Sequence, residues 1–301
     1  MNAIIGLLAG LTNPINALLA ALGVLTGGFV IGWSRSESGP TALEIFVGTI
    51  TNFFDTLGIG SFATTTALFR FFKLVPDRVI PGTLNVGHTL PTIAEAFIYT
   101  AVIPVDVVTL ISMVAAAMLG AWLGAGIVAK WPKRQVQIGM GAALLAAAVF
   151  FTMRNLGLFP AGSTAIGVSG VLLLVAVAGN FFLGALMSLG IGLYAPCMIL
   201  VSLLGMSETT AFPIMMGSCA FLMPVGSLKF IREKAYSIRA AVGLAIGGIP
   251  GVLVAAYIVK SMNLKTVRWL VIVVVVYTAL TMLYSAFSER DHAATEGGVR
   301  S

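Results

Sequence analysis

The run EIFVGTITNFFDTLGIGSFATTTALFRFFK, residues 44–73, decides the fold. As one helix it would rise about 45 Å, whereas the hydrocarbon core of a bilayer is about 30 Å thick. Gly58-Ile59-Gly60 divides it into two pieces of about 20 Å each. Leu57-Gly58-Ile59-Gly60 returns 132 residues later as Leu189-Gly190-Ile191-Gly192, inside the apolar run 166–204. At the same offset Pro81 meets Pro213. After a slip to 131, Gly120 meets Gly251, Val128 meets Val259, Arg134 meets Lys265 and Val136 meets Val267. These ordered matches predict two repeats, 41–154 and 164–288. An amino-terminal membrane segment at 1–40 precedes them, and a polar tail at 289–301 follows.

Composition fixes the solvent. Apolar residues make up 58% of the chain, charged residues 9%, and the mean hydropathy is +1.03. Soluble domains carry about 25% charged residues, so this chain could not cover its surface in water. Apolar runs at 15–33, 44–73, 80–100, 105–129, 135–153, 166–204, 210–228, 238–259 and 267–287 fill it, leaving no room for a soluble catalytic domain. The expectation is an all-α polytopic membrane protein with two inverted repeats and discontinuous or re-entrant helices. The amino terminus has no basic stretch before its apolar run and no evident cleavage site, and reads as a retained segment. Cys197 and Cys219 sit inside apolar runs and read as buried thiols. With no CxxC and no Cys/His cluster, neither a metal nor another cofactor is expected. The net charge of +6 belongs to loops at the membrane edge, so no nucleic-acid partner is implied.

Those loops also bear on topology, because Lys and Arg concentrate on the cytoplasmic side. If both broken segments enter and leave on the same side, 13 of the 17 Lys and Arg residues share one face. Only Arg154, Lys260, Lys265 and Arg268 are left for the other. If both segments cross, the split is 8 against 9 and gives no orientation. The first arrangement leaves each repeat three crossings, an odd number, and therefore inverts one repeat relative to the other. It places the chain in the cell (inner) membrane as a multi-pass protein with its tail in the cytoplasm.

A helix break at membrane depth leaves peptide groups unpaired at several kcal/mol each, and survives only inside protein or beside a water-filled cavity. Transporters with inverted repeats place substrate sites at such breaks. The half-helices starting near Ser61 and Leu193 would aim their free N–H groups and positive dipole ends at the breaks, which suits an anion. The candidate substrate-binding residues are Gly58, Gly60, Ser61, Thr64, Thr65, Gly190, Gly192 and Tyr194. The helix-breaking, polar stretch from Pro81 to Thr89 and its partner Pro213–Cys219 add Thr83, Asn85 and Ser218. The competing structural readings are a glycine kink that serves close packing and hydroxyls that bond their own helix. Asp55, His88 and Glu95 are ionisable groups in apolar surroundings, hence candidates to carry a coupling proton, or sodium in the case of Asp55. A satisfied structural partner is the alternative for each. Glu44, Asp106 and Glu208 lie near segment ends and read as interfacial.

Asn52-Phe53-Phe54-Asp55-Thr56-Leu57-Gly58-Ile59-Gly60, the Pro81-Gly82-Thr83 segment and their second-half counterparts resemble the TauE/SafE family of sulfite exporters, as does Gly251-Val252-Leu253-Val254-Ala255. The likeness extends over about 41–288. It implies a membrane transporter, not an enzyme, for sulfite, thiosulfate, sulfoacetate or another organosulfonate. The partners expected are that small sulfur anion and the lipid bilayer, with proton or sodium coupling and with a homo-oligomer compatible. A passive anion channel and an intramembrane sulfur-handling enzyme or assembly factor are the other readings. The last would want a nucleophile paired with a base, and no such pair is recognisable.

Overall fold

The computed structural model describes residues 39–158, 164–190, 192–207 and 209–258, together with Asn16 and, in the last helix, 269, 272, 273, 275–284, 286 and 287. The expected amino-terminal segment and the polar tail lie outside the described residues, apart from Asn16 and the link at 39–40. The helices are α1 Ala42–Thr56, α2 Ser61–Phe71, α3 Ile80–Val102, α4 Val107–Val128 and α5 Lys133–Asn155. They continue with α6 Gly170–Met187, α7 Tyr194–Leu203, α8 Ala211–Arg232, α9 Ile238–Ile258 and α10 Val275–Tyr284. No strand occurs among the described residues.

Four of these, α4, α6, α8 and α9, are long and apolar enough to cross a membrane. Their outer faces are oily: Leu119 and Leu123 on α4, Val171, Leu174 and Phe182 on α6, and Leu253 on α9 are all exposed. The interior is where the polar residues gather, with Asn52, Thr65, Thr83, His88, Glu95, Asn180 and Ser218 buried. This inside-out distribution suits hydrocarbon as the surrounding solvent. It makes the chain a multi-pass membrane protein.

The halves interlock. α1 packs along α9, with Gly243 against Glu44, Gly247 against Ile45 and Gly251 against Thr49, so contacts advance in one direction along both helices and the pair is parallel. α6 packs along α4 in the same way, with Gly120 against Phe181 and Gly124 against Ala185. A Cβ at Gly251 would lie 2.3 Å from the Thr49 carbonyl oxygen, and one at Gly120 would lie 1.9 Å from that of Phe181. Only glycine permits either approach. Between these pairs, α3 and α8 cross antiparallel, Gly82 meeting Phe230 at one end and Tyr99 stacking on Phe212 at 5.2 Å at the other.

Two local results depart from expectation. The polar stretch from Pro81 to Thr89 does not break its helix. Pro81 occupies the first turn of α3, where an N–H would have no partner in any case, and Gly82 and Gly87 are contact points against Phe230 and Leu244. Glu44 lies at a helix end as expected but is fully buried. It completes a capping box with Thr41 and pairs with Arg239 at 3.0 Å. Asp106 caps α4 by accepting from the Thr109 N–H at 2.8 Å, while Glu208 lies outside the described residues.

Candidate functional site: two helix breaks around one cavity

α1 stops at Thr56 because the chain turns over Gly58 (φ 75°) and Gly60 (φ 89°), conformations that glycine adopts without strain. α2 then starts at Ser61. In the second half α6 ends at Met187, Gly190 has φ 87°, and α7 starts at Tyr194. The two breaks face one another. Asp55, Gly60, Ser61 and Phe62 from the first, and Met187, Gly192, Leu193 and Tyr194 from the second, line one cavity closed by Thr92 of α3 and Cys219 of α8. The first four residues and the second four are related pairwise by the 132-residue offset. The cavity is about 10 Å³, room for a single water molecule.

The polar groups divide into two networks. The first lies at the cavity wall. Asp55 accepts from the Ser61 N–H at 2.7 Å through one carboxylate oxygen and from the Ser61 hydroxyl at 3.0 Å through the other. The leading N–H of α2 is therefore capped by the chain's own carboxylate. Glu95 accepts from the Thr56 hydroxyl at 2.8 Å and from the Tyr194 hydroxyl at 2.7 Å, tying α1 and α7 to α3. Tyr99 donates to the Thr56 carbonyl at 2.7 Å and, stacked on Phe212, closes this level. No lysine or arginine is among the described residues that line the cavity.

The second network lies off the cavity. His88 is 3.0 Å from Asn52 Oδ1 through Nδ1 and 3.0 Å from the Thr65 hydroxyl through Nε2, which joins α1, α2 and α3. In the other half Asn180 donates to Ser218 at 2.9 Å and to the Met113 carbonyl at 2.7 Å.

The anticipated residues separate accordingly. Gly60, Ser61, Gly192, Tyr194 and Asp55 line the cavity. Glu95 adjoins it through Tyr194, and Gly58 and Gly190 form the turns beside it. Thr65, His88 and Ser218 belong to the helix ties. Thr64, Thr83 and Asn85 are not brought to the cavity. The Thr64 hydroxyl turns back to the Ser61 carbonyl at 2.9 Å, that of Thr83 to Val79 at 2.7 Å, and the Asn85 amide to Pro81 at 2.9 Å. Buried donors take the nearest backbone acceptor when nothing better is in reach. Thr83 also accepts from the Ser237 N–H at 2.8 Å.

Asn52 and Asn180 are the residues that the sequence reading missed. Asn52-Phe53-Phe54 recurs as Asn180-Phe181-Phe182 at an offset of 128. Both aromatic pairs are edge-on, at 5.3 and 5.6 Å. Between this motif and the glycine break the second half carries four extra residues, about one helical turn, which hid the match.

Fold and site together define a polytopic helical membrane protein with one small cavity between two interrupted helices. Residues 171–300 match the family model Sulfite exporter TauE/SafE, so the likeness read from the sequence is borne out over the second half. The matched model is that of a sulfite exporter family, and the match takes in less than half of the chain. No curated protein and no solved structure matches the chain.

Proposed function

We propose that the protein is a secondary transporter of a small sulfur oxyanion, sulfite or an organosulfonate, working by alternating access between two inverted repeats. The observation that carries this reading is the convergence of both glycine breaks, 132 residues apart, on one buried cavity. Two half-helix amino termini then face a common centre, an arrangement that favours a small anion. Their N–H groups, with the Ser61 hydroxyl, are the donors that would meet oxyanion oxygens once the Asp55 carboxylate releases Ser61. The chamber in this conformation is too small for sulfite, as an occluded state between two openings would be.

Several contacts support helix pairs that re-enter rather than cross. Ala165, ahead of α6, pairs with Met206, after α7, and Ser207 donates to the Ala165 carbonyl at 2.8 Å, so the two ends of that unit meet. In the first half, α1 begins beside Arg239, while α2 leads through the Arg70–Asp77 ion pair (2.8 Å) into α3, whose first turn meets Ser237. Both ends again lie on one face. Lys130, paired with Glu233 at 3.7 Å, and Lys229, over the Trp122 ring at 3.8 Å, occupy the same face. By the distribution of positive charge that face is cytoplasmic.

Proteoliposomes test the transport reading. Vesicles loaded with unlabelled sulfite should transiently concentrate external radiolabelled sulfite, because a carrier exchanges one anion for another. A channel would give simple equilibration, and an absence of flux for sulfite and sulfonates alike would remove the assignment.

A further inference from the structure

The donors that would hold a substrate anion at α2 are already occupied. Asp55 takes the Ser61 N–H and hydroxyl with its two oxygens. Its equivalent at the second break is Met187, and α7 has no side-chain cap at all. The device is therefore built on one side only. The chamber has room for no more than one water molecule and offers no space for a second anion while Asp55 stays in place.

Charge leads to the same point. The titratable groups around Asp55 are Glu95 of α3, Tyr194 of α7 and Cys219 of α8, with no cation among the cavity-lining residues. Packed farther along the same helices, Tyr99 bonds the Thr56 carbonyl, His88 is held between Asn52 and Thr65, and Cys197 is buried. Arg239 is engaged by Glu44 at the far end of α1. An entering anion would share a nearly dry space with two carboxylates and no side-chain cation among the lining residues to offset them.

Resting on the transport reading above, we infer that Asp55 is an internal competitor for the substrate anion. Substrate and the ionised Asp55 carboxylate occupy the amino terminus of α2 by turns, and the displaced carboxylate takes one proton from water on the side of entry. One anion and one proton are then carried together. On release the proton leaves, and the carboxylate returns to Ser61 and closes the chamber. Glu95 keeps its bonds to Thr56 and Tyr194 throughout.

Methanesulfonate is a suitable probe, since it stays a monoanion across the physiological pH range. Its affinity for the purified full-length protein should weaken about tenfold per pH unit above the titration of Asp55, as one linked proton requires. Asp55→Asn should bind it with less than about twofold change over the same range, because a neutral amide cannot supply the linked proton. Its flux in proteoliposomes should follow the anion gradient alone. Binding of methanesulfonate to wild type in weak buffer should take up one proton per anion, a reading that does not depend on the variant folding. Binding without proton uptake, or pH dependence that survives in Asp55→Asn and disappears in Glu95→Gln, would overturn the competitor role while leaving the site intact. No binding of methanesulfonate or sulfite by wild type at any pH would remove the site and the competitor together.

Discussion

His88 shows how one buried side chain can hold three helices. Each ring nitrogen has a fixed partner, Asn52 on α1 and Thr65 on α2. Its ring lies 5.9 Å from that of Phe62 at the cavity wall. Replacing it by alanine strands both partners in a dry interior, at about 1–3 kcal/mol for each group left unpaired. The midpoint of thermal unfolding in detergent should fall clearly, and less so for His88→Gln, which can restore one of the two bonds. Gly60 gives a second residue-scale test. No atom lies within 4 Å of where its Cβ would be, yet its φ of 89° is strained for any L side chain. Gly60→Ala should therefore lose about 1–3 kcal/mol through the backbone alone. A loss of anion binding larger than the loss of stability would show that the turn also shapes the site.

At the scale of helices, the seams are the feature to probe. Gly251→Val on α9 and Gly120→Val on α4 both force a side chain against a backbone carbonyl of the neighbouring helix, that of Thr49 on α1 or of Phe181 on α6. Each should sharply reduce the yield of folded protein, measured by size-exclusion profile. Gly126→Val is the matched control, because the nearest atom to a Cβ there is Lys229 Cε at 4.0 Å. Equal behaviour of all three would mean that the seams do not carry the packing. Much of this level was legible in the sequence. Leu-Gly-Ile-Gly, repeated, located both breaks and both half-helix starts to within a residue. The direction of each polar side chain was not legible. Thr83 and Asn85 looked like ligands because sequence records a donor but not which acceptor lies closest. The cap supplied by Asp55 was hidden for the same reason, since the five residues between Asp55 and Ser61 must first turn back before carboxylate and N–H meet.

For the molecule as a whole, the proposed topology makes a labelling prediction. Lys73→Cys and Glu233→Cys, both exposed, should react with a membrane-impermeant maleimide only from the cytoplasmic side. Thr209→Cys, exposed near the opposite ends of α3 and α8, should react only from outside. The native Cys197 and Cys219 are buried and should stay silent. Labelling of all three engineered positions from one side would refute two re-entering hairpins. The parallel pairing of α1 with α9 has a further consequence, for biosynthesis. The seat for α1 is made of residues that emerge from the ribosome roughly 200 positions later, about 10–40 s at ordinary elongation rates. Through that interval α1, with the buried Asp55, must be sheltered by lipid or by the insertion machinery. Slow translation across the second half therefore endangers the first.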